Sequence, residues 1–382
     1  MPRWLAIAGE RSSDQMASAI MQHISQHADV SWVVLGGSHM AQHATTCLGV
    51  TVDVSSVGII ESLTGRRRLT QLCHQLDAYL STHSLDRAII FDFPHYHRLF
   101  AKVLQRHHVP IDTVITPHFW MWNDRKRGQE LIQYSQRIIT IFKREYEWYQ
   151  SLGATPIFVG HPLLDRIEPA VPRRPTQWGD MAPHSIGIFP GSRPNEIKRL
   201  LPTCLRMLTR LSPHWHTHVM VPIEHHSWVQ PMIDQAQIAG GASVSLHHAS
   251  PSTSLDVAVV ATGTMSLELI LNRIPIVVIG ALHPVSYWIA TRILRLSLPF
   301  IGLPNLILGH RWVTELAQFD LTPSHLADAL CHLLTPLEWD RIQAAYPSFI
   351  SYLGQAPVVS QMSQVILEAF PVTGPSESDH DT

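Results

Sequence analysis

The sequence is poor in charged residues and in cysteine, and both shortages exclude classes of function. Charged side chains make up 15% of the 382 residues, whereas an average globular protein has about 25%. The net charge is −2, so the clustered basic surface that binds a nucleic acid is not expected. The four cysteines are scattered, without the spacing of a zinc site or of a disulfide framework. A reduced cytoplasmic interior fits this pattern.

Long hydrophobic runs are absent as well. No uninterrupted apolar stretch reaches the length of about 18 residues that a membrane-spanning helix needs. The closest approach, 276–309, is broken by His283, Pro284, Arg292 and Arg295. Residues 1–8 are too short for the hydrophobic region and cleavage site of a signal peptide. Neither a spanning helix nor a signal peptide is expected.

What the sequence does contain is an alternation of short apolar runs with segments of helical period. Met16, Ile20 and Ile24, for example, form a stripe at helical spacing. This alternation predicts parallel sheets that helices cover on both faces. The predicted strands are 4–8, 30–35, 88–91, 113–116, 138–142, 157–159, 185–189, 218–221, 243–246, 257–260 and 274–279.

A proline-rich stretch at 167–184 interrupts the alternation and reads as an interdomain linker. The chain is therefore expected to form two doubly wound α/β domains, 1–168 and 169–347, that meet near residue 170. A helix at about 348–370 is expected to return to the first domain. Because ligands of such folds bind at the carboxyl ends of the strands, a cleft between the domains is expected to hold the site. Residues 371–382 are acidic and lack a hydrophobic stripe, so they are expected to be disordered.

Two acidic residues follow predicted strands of the first half. Glu10 follows the first strand and precedes a helix that Ser12 or Ser13 can cap by accepting a backbone N–H. Asp92 follows the strand 88–91, where partial burial would raise its pKa to a range useful for a general base. In both places the alternative is an ordinary turn, with a carboxylate that is solvated or that caps the next helix.

Two turns of the second half suit a phosphate. Gly191 permits a tight turn after the strand 185–189, and Arg193 together with free N–H groups suits an anion. After the strand 257–260, the small residues 262–266 let a diphosphate approach the backbone, and Glu268 could accept hydrogen bonds from a ribose. Neither turn has a complete P-loop or dinucleotide fingerprint, so each could also be an ordinary strand–helix loop.

Two further features, the histidines and the segment 283–309, each allow more than one interpretation. The 25 histidines include the run 214–218, but no spacing matches a zinc motif, and no metal is expected. Residues 283–309 place Ile289, Ile293 and Leu296 at helical spacing near basic residues. That pattern suits a membrane interface or a helix that faces the core.

Nine segments, taken in order, resemble the successive motifs of the lipid-A-disaccharide synthase family. They are AGERSSDQ, VGIIESL, FDFP, ITPHFWMW, VGHPLLD, FPGSRPNEIKRLLP, ATGTMSLE, PVSYW and LPNLILG, and they lie within residues 5–316. The resemblance implies the GT-B fold, with two Rossmann-like domains facing a cleft. It implies an acceptor-binding domain at 1–168 and a nucleotide-sugar-binding domain at 169–347.

The resemblance also implies a reaction. The family joins the 2,3-diacylglucosamine unit of a UDP-linked donor to the 6-hydroxyl of 2,3-diacylglucosamine 1-phosphate. The product is a β-1,6-linked disaccharide, formed with inversion and without a metal or other cofactor. The implied partners are the UDP-linked acylated amino sugar, the acylated sugar phosphate and the inner face of the bacterial inner membrane, on which the protein would be peripheral. Whether the protein is a homodimer is left open.

The implied site residues coincide with the strand ends noted above. Asp92 is the predicted base, and Glu10 is predicted to position the acceptor. The predicted nucleotide-binding residues are Gly191, Ser192, Arg193, Thr262, Gly263, Thr264, Glu268 and Asn305. On the acceptor and lipid side the prediction includes Ser12, Asp14, Glu61, Trp120, Trp122 and Trp288.

The chain departs from the family motifs at several positions. Three family arginines are replaced by Asn123, Ala281 and His310, although Arg311 could compensate for the last. Ser13 replaces a glycine, and His95 and His97 replace an aspartate and an asparagine. The chain is therefore expected to be a divergent member. The alternatives are a GT-B enzyme for another nucleotide-sugar and acceptor, or a binding protein of the same fold that has lost turnover.

Overall fold

The computed structural model describes residues 1–51, 61–93, 97–167, 178, 184–240, 243–248, 255–281 and 299–368, with the backbone alone at 61–66 and 238–240. The chain divides into two compact units, Met1–Asp165 with Leu353–Thr382, and Arg166–Tyr352. Each unit has its own sheet. Trp288, most of the segment 283–309 and the tail 371–382, for which expectations are stated above, lie outside the described residues.

The first unit is built on a parallel sheet. Its described strands are β1 (Arg3–Ala8), β2 (Ser31–Gly36), β3 (Thr46–Val50), β4 (Arg87–Phe91), β5 (Ile111–Val114), β6 (Arg137–Thr140) and β7 (Ile157–Phe158). They pair in parallel in the order β3-β2-β1-β4-β5-β6-β7. The order reverses between β1 and β4, because the chain leaves β3 and returns on the other side of β1. Such a reversal opens a crevice at the carboxyl ends of the two strands.

Helices connect these strands and cover the sheet. They are α1 (Arg11–His27), α2 (Ser38–Ala41), α3 (Glu61–Leu80), α4 (His97–Arg106), α5 (Phe119–Trp122), α6 (Arg125–Tyr134) and α7 (Lys143–Ser151), followed by a 3₁₀ turn at Pro162–Asp165. The central strands are buried along their length, as β4 shows. Side chains from β1, β2 and β4 pack with α3 and α4 in one apolar core.

The helix α14 (Val358–Glu368) packs on α1 of the first unit. Its residues Met362 and Ile366 are fully buried. At its start, the carboxylate of Asp165 accepts the N–H groups of Val358 and Val359 at 2.6 and 2.7 Å. An anion at a helix N-terminus satisfies free N–H groups and interacts favourably with the helix dipole.

Two arginines hold the other end of α14. Arg87 Nη1 donates to the carbonyl of Ile366 at 2.8 Å, and Arg137 Nη1 donates to that of Val365 at 2.5 Å. The fully buried Asp112 forms ion pairs with both guanidinium groups. Because these arginines begin β4 and β6, the helix is fixed to the amino-terminal edge of the sheet, away from the crevice.

The second unit repeats the architecture. Its described strands are β8 (Ser185–Phe189), β9 (His216–Val221), β10 (Ser243–His248), β11 (Val257–Ala261), β12 (Ile276–Gly280) and β13 (Thr314–Ala317). They are parallel in the order β10-β9-β8-β11-β12-β13, which reverses between β8 and β11. The helices are α8 (Pro194–Met207), α9 (His226–Gly240), α10 (Met265–Leu271), α11 (Leu303–Leu308), α12 (Pro323–Leu333) and α13 (Pro336–Leu353), with 3₁₀ turns at Leu208–Arg210, Ile223–His225 and Gln318–Asp320.

The predicted fold class is confirmed, and each predicted strand overlaps an observed one. The largest displacement is at β5, which begins and ends two residues before the predicted 113–116. The strands β3 and β13 were not predicted. Both lie at a sheet edge and are partly exposed, so they need no continuous apolar run.

Candidate active site

The predicted residues of the first unit leave the sheet at its switch point. Ala8 at the end of β1 lies opposite Phe91 at the end of β4. Glu10 follows the first of these strands and Asp92 the second, so both carboxylates emerge at the crevice. A Cβ atom on Gly9 would lie 2.0 Å from Cδ2 of Phe93, so only glycine lets the two strand ends pack this closely.

Asp92 has an unusual backbone and an unusual carboxyl group. Its φ angle is 30°, a region that non-glycine residues rarely adopt, and its N–H donates to the carbonyl of Ile115 at 3.1 Å. The residue is 9% exposed. Its Oδ1 atom has no hydrogen-bond partner within the described residues. Burial, and secondarily the charge of Glu10, raises the pKa of Asp92 to about 8.

Glu10 and the start of α1 form a compact turn. The Oγ of Ser13 accepts the N–H of Glu10 at 3.0 Å and donates to its carbonyl at 2.9 Å. Ser12 is exposed. Asp14 is 2% exposed, and its carboxylate accepts three backbone N–H groups around the start of α2. Asp14 therefore fixes α1 to α2, and its predicted contact with the acceptor stays a prediction, as does that of Ser12.

Two buried polar residues near this edge lie outside the sequence-based site. His97 is buried, bonds to Thr113 at 3.0 Å, and has its pKa lowered to about 4 by burial, so it is neutral. Glu145 is also buried and accepts from Thr116, Ile141 and Phe142. Burial raises its pKa to about 7 against these hydrogen bonds. Ile141 and Phe142 lie just before Glu145 at the start of α7, whereas Thr116 is 29 positions away, so a local pattern could not have shown the bond to Thr116.

His118 follows β5, the strand next to β4, and precedes α5. The residue is exposed. Partial burial of the ring lowers the pKa of His118, whereas the charges of Glu145 and Glu10 raise it. The ring therefore lies within electrostatic range of the Glu10 carboxylate, as Asp92 does.

The predicted tryptophans differ in exposure. Trp120 is buried against Phe142, with ring centroids 5.8 Å apart, whereas Trp122 is 46% exposed. Asn123 ends α5 with a φ angle of 50° and accepts a hydrogen bond from Trp148 Nε1 at 2.9 Å. Asparagine tolerates this left-handed conformation better than arginine does. Glu61 is described only as the first residue of α3.

In the second unit, a carboxylate lies at the turn after β8. Gly191 has a φ angle of 107°, and a Cβ atom there would lie 2.0 Å from Oε2 of Glu196. Burial raises the pKa of Glu196, whereas the charge of Arg193 and the backbone N–H groups of Ser192 and Arg193 lower it. An anion at this turn would meet the exposed Arg193 side chain beside this carboxylate, so the predicted contacts of Gly191, Ser192 and Arg193 with the nucleotide stay a prediction.

The turn after β11 is more open. Gly263 has a φ angle of 144°, and no atom lies within 4 Å of a Cβ placed there. Thr262 and Thr264 are exposed, and the turn is closed by Ser266, whose Oγ donates to the Gly263 carbonyl at 2.7 Å. Glu268 follows on α10, half-buried, with its pKa raised by burial against the charge of Arg166.

Asn305 occupies a closed network. Its Nδ2 donates to the carbonyl of Val313 and to Glu315, and its Oδ1 accepts the N–H groups of Trp312 and Val313. The residue is 0% exposed. Its amide holds the segment from α11 to β13 in shape, so any effect on a nucleotide, which stays a prediction, would act through that segment.

Among the described residues, no group of three or more His, Cys, Asp or Glu side chains is arranged to hold a metal ion. No helix in the described part of the chain combines the length and apolar character needed to cross a bilayer.

Comparison with known proteins identifies the family. The family model described as Lipid-A-disaccharide synthetase matches residues 5–369. A lipid-A-disaccharide synthase of Synechocystis sp. is 30% identical over 380 residues, covering 94% of this chain and 96% of that protein. One from Gloeothece citriformis is 29% identical over 380 residues, covering 94% and 98%.

Solved structures give the fold. The calicheamicin glycosyltransferase CalG4 matches 98% of this chain and 100% of its own with a TM-score of 0.61, at 12% identity. At this identity the likeness establishes a shared GT-B fold alone. Together with the family match over 5–369, it leads to one conclusion: the chain belongs to the lipid-A-disaccharide synthase family and is a glycosyltransferase.

Proposed function

We propose that this chain transfers the 2,3-diacylglucosamine unit of a UDP-linked donor onto the 6-hydroxyl of 2,3-diacylglucosamine 1-phosphate. The products are a β-1,6-linked disaccharide and UDP. Membership of the family and the names of the relatives support these substrates. The proposal needs no metal or other cofactor, since a base on the acceptor side and cations on the donor side supply the chemistry.

The observation that carries the proposal is the state of Asp92. Its buried carboxyl group lies at the switch point of the first sheet, has a free Oδ1 atom within the described residues, and has a pKa raised to about 8. A general base is most effective when its pKa lies near the working pH. Asp92 accepts the proton of the acceptor hydroxyl as that oxygen bonds to the donor's anomeric carbon, and Glu10 positions the acceptor.

On the donor side, the leaving diphosphate needs positive charge near the end of the second sheet. Arg193 is exposed beside β8, and the 262–264 turn gives access to the backbone beside β11. The two turns flank the switch point of that sheet. Positive charge placed where negative charge develops stabilises the transition state. Glu268 would bind the ribose hydroxyls.

Because both substrates carry acyl chains, we further propose that the protein works as a peripheral protein on the cytoplasmic face of the inner membrane. The exposed Trp122 is a described residue that fits a lipid-facing role. Whether one chain or a homodimer acts there is a separate question for sedimentation in detergent.

The test is incubation of the purified protein with both substrates and mass spectrometry of the products. Disaccharide together with an equal amount of UDP is expected, and omission of either substrate should abolish both. UDP release without disaccharide would refute this acceptor and favour the alternative of a GT-B enzyme with another acceptor. One observation favours this alternative. At position 123, where the family has arginine, Asn123 accepts a hydrogen bond from Trp148. If neither disaccharide nor UDP forms, catalysis with these substrates is refuted.

A further inference from the structure

Arg199 connects α8 with the end of a strand that is distant in sequence. It lies five residues after the helix begins at Pro194, and its Nη1 donates to the carbonyl of Ala281 at 2.9 Å. Ala281 directly follows β12, the neighbour of β11. Helical side chains tilt toward the N-terminus of their helix. The guanidinium group is thereby held at the carboxyl edge of the sheet, where ligands of this architecture bind.

The positive charge of Arg199 is not neutralised by a dedicated partner. Within the described residues, its hydrogen bond goes to the Ala281 carbonyl, and Glu196 is the carboxylate that attracts it. Glu196 also attracts Arg193. Two guanidinium groups therefore share one carboxylate, which leaves one positive charge in excess among these three side chains.

The hydrogen bond to Ala281 also limits the mobility of the side chain. A guanidinium group has five N–H donors, and fixing one of them on a backbone carbonyl leaves others for a ligand. An arginine that is already positioned loses less side-chain entropy when it binds an anion. The residue is half-buried, which strengthens its interaction with an anion relative to a fully solvated position.

We propose that Arg199 is a second donor-side cation, which binds the diphosphate of the nucleotide jointly with Arg193. The inference rests on the proposed function, since it takes the donor to be a UDP-linked sugar. It adds a residue that the motif-based site did not contain. It also places a guanidinium group beside position 281, where the family motif has an arginine and this chain has alanine.

The test is calorimetric titration of the full-length protein with UDP. Arg199→Gln should weaken binding by about 10- to 100-fold, the loss of one charge-assisted contact. Arg199→Lys, which keeps the charge, should restore most of the affinity. The matched control is Arg206→Gln on the same helix, where the arginine is exposed and bonds only to Thr203 among the described residues. This control should bind UDP like the unmodified protein.

Two readouts separate binding from a structural role. Salt screens a charge contact, so the gap between Arg199→Gln and the unmodified protein should shrink between about 50 and 300 mM salt. Adding Ala281→Arg to Arg199→Gln should recover affinity, because it returns a guanidinium group to the same strand end. If Arg199→Lys binds as poorly as Arg199→Gln and both melt at a lower temperature, the residue only supports the fold and the inference is wrong.

The outcome also distinguishes this inference from the proposed function. UDP affinity that is equal in the unmodified protein and in Arg199→Gln overturns the role of Arg199 and leaves the proposed function standing. An unmodified protein that binds no UDP overturns the donor assignment, and the role of Arg199 with it.

Discussion

Replacing Asp92 with asparagine should change how the stability of the first unit depends on pH. In the folded protein, burial and the charge of Glu10 raise the pKa of Asp92 from 3.8 to about 8. The folded state therefore holds this proton more tightly than the unfolded state does. The resulting stabilisation is complete below pH 3.8 and is lost progressively as the pH rises to about 8. Asparagine cannot ionise, so residue 92 of the variant should not lower the free energy of unfolding as the pH rises.

The magnitude follows from the two pKa values. The full difference corresponds to at most about 6 kcal/mol of unfolding free energy, at about 1.4 kcal/mol per pH unit. Between pH 5 and pH 7 alone, the stability of the wild type should fall by about 3 kcal/mol relative to Asp92→Asn. The amide group has its own cost of burial, but that cost does not vary with pH.

The assay is a series of urea titrations between pH 5 and pH 8, with hydrogen exchange of β1 and β4 peptides to assign the transition to the first unit. Asp14→Asn is the matched control. That carboxylate is also buried but accepts three N–H groups. Asp14→Asn should destabilise the unit by about 1–3 kcal/mol at neutral pH, because the side-chain NH₂ group of asparagine would face backbone N–H donors. A stability difference between Asp92→Asn and the wild type that stays constant across this range would refute the raised pKa of Asp92.

Three further predictions concern other residues of the two units. Glu10→Gln removes a negative charge that raises the pKa of Asp92, so the rising limb of the pH profile of kcat/KM should move to lower pH. A midpoint of this limb that is unchanged or higher would show that the charge of Glu10 does not raise the pKa of Asp92. Asp112→Asn leaves two guanidinium groups without their buried carboxylate and should cost about 3–5 kcal/mol of unfolding free energy in urea, whereas the same change at the partly exposed Asp77 should have little effect. Gly191→Ala forces a Cβ atom against Glu196. It should destabilise the second unit by about 1–3 kcal/mol and weaken UDP binding in calorimetry. The control is Gly153→Ala, which has a φ angle of 88° and open space around the Cβ position, so it measures the cost of the backbone conformation alone.

The fold class could be predicted because its signal is local. Strands such as β4 and β11 are buried along their length and read as continuous apolar runs. The edge strands β3 and β13 carry polar residues such as Thr46 and Glu315 on partly exposed positions, so hydrophobicity did not reveal them. The candidate site residues that directly follow a strand could be predicted for a related reason, since the strand, the turn and the next helix are contiguous in sequence.

Contacts between distant segments could not be predicted. Arg87, Asp112 and Arg137 meet only because parallel strands place their amino ends side by side. Arg199 reaches Ala281 across 82 positions of the chain. A motif gives the identity of a residue without its surroundings. For this reason the sequence did not show that the Glu196 carboxylate lies against Gly191, where an added Cβ atom would be 2.0 Å from Oε2.

The central claim is that Asp92 is the base of a glycosyl transfer, and the most direct test is the turnover of Asp92→Asn with the UDP-linked donor and the sugar phosphate acceptor. Disaccharide should be quantified by mass spectrometry at pH 8, with UDP binding measured on the same preparations. Loss of a general base lowers the rate by about 100-fold or more, and UDP affinity should be unchanged because Asp92 belongs to the other unit. A variant that binds UDP normally and forms disaccharide at a rate within a few-fold of the wild type would contradict the account.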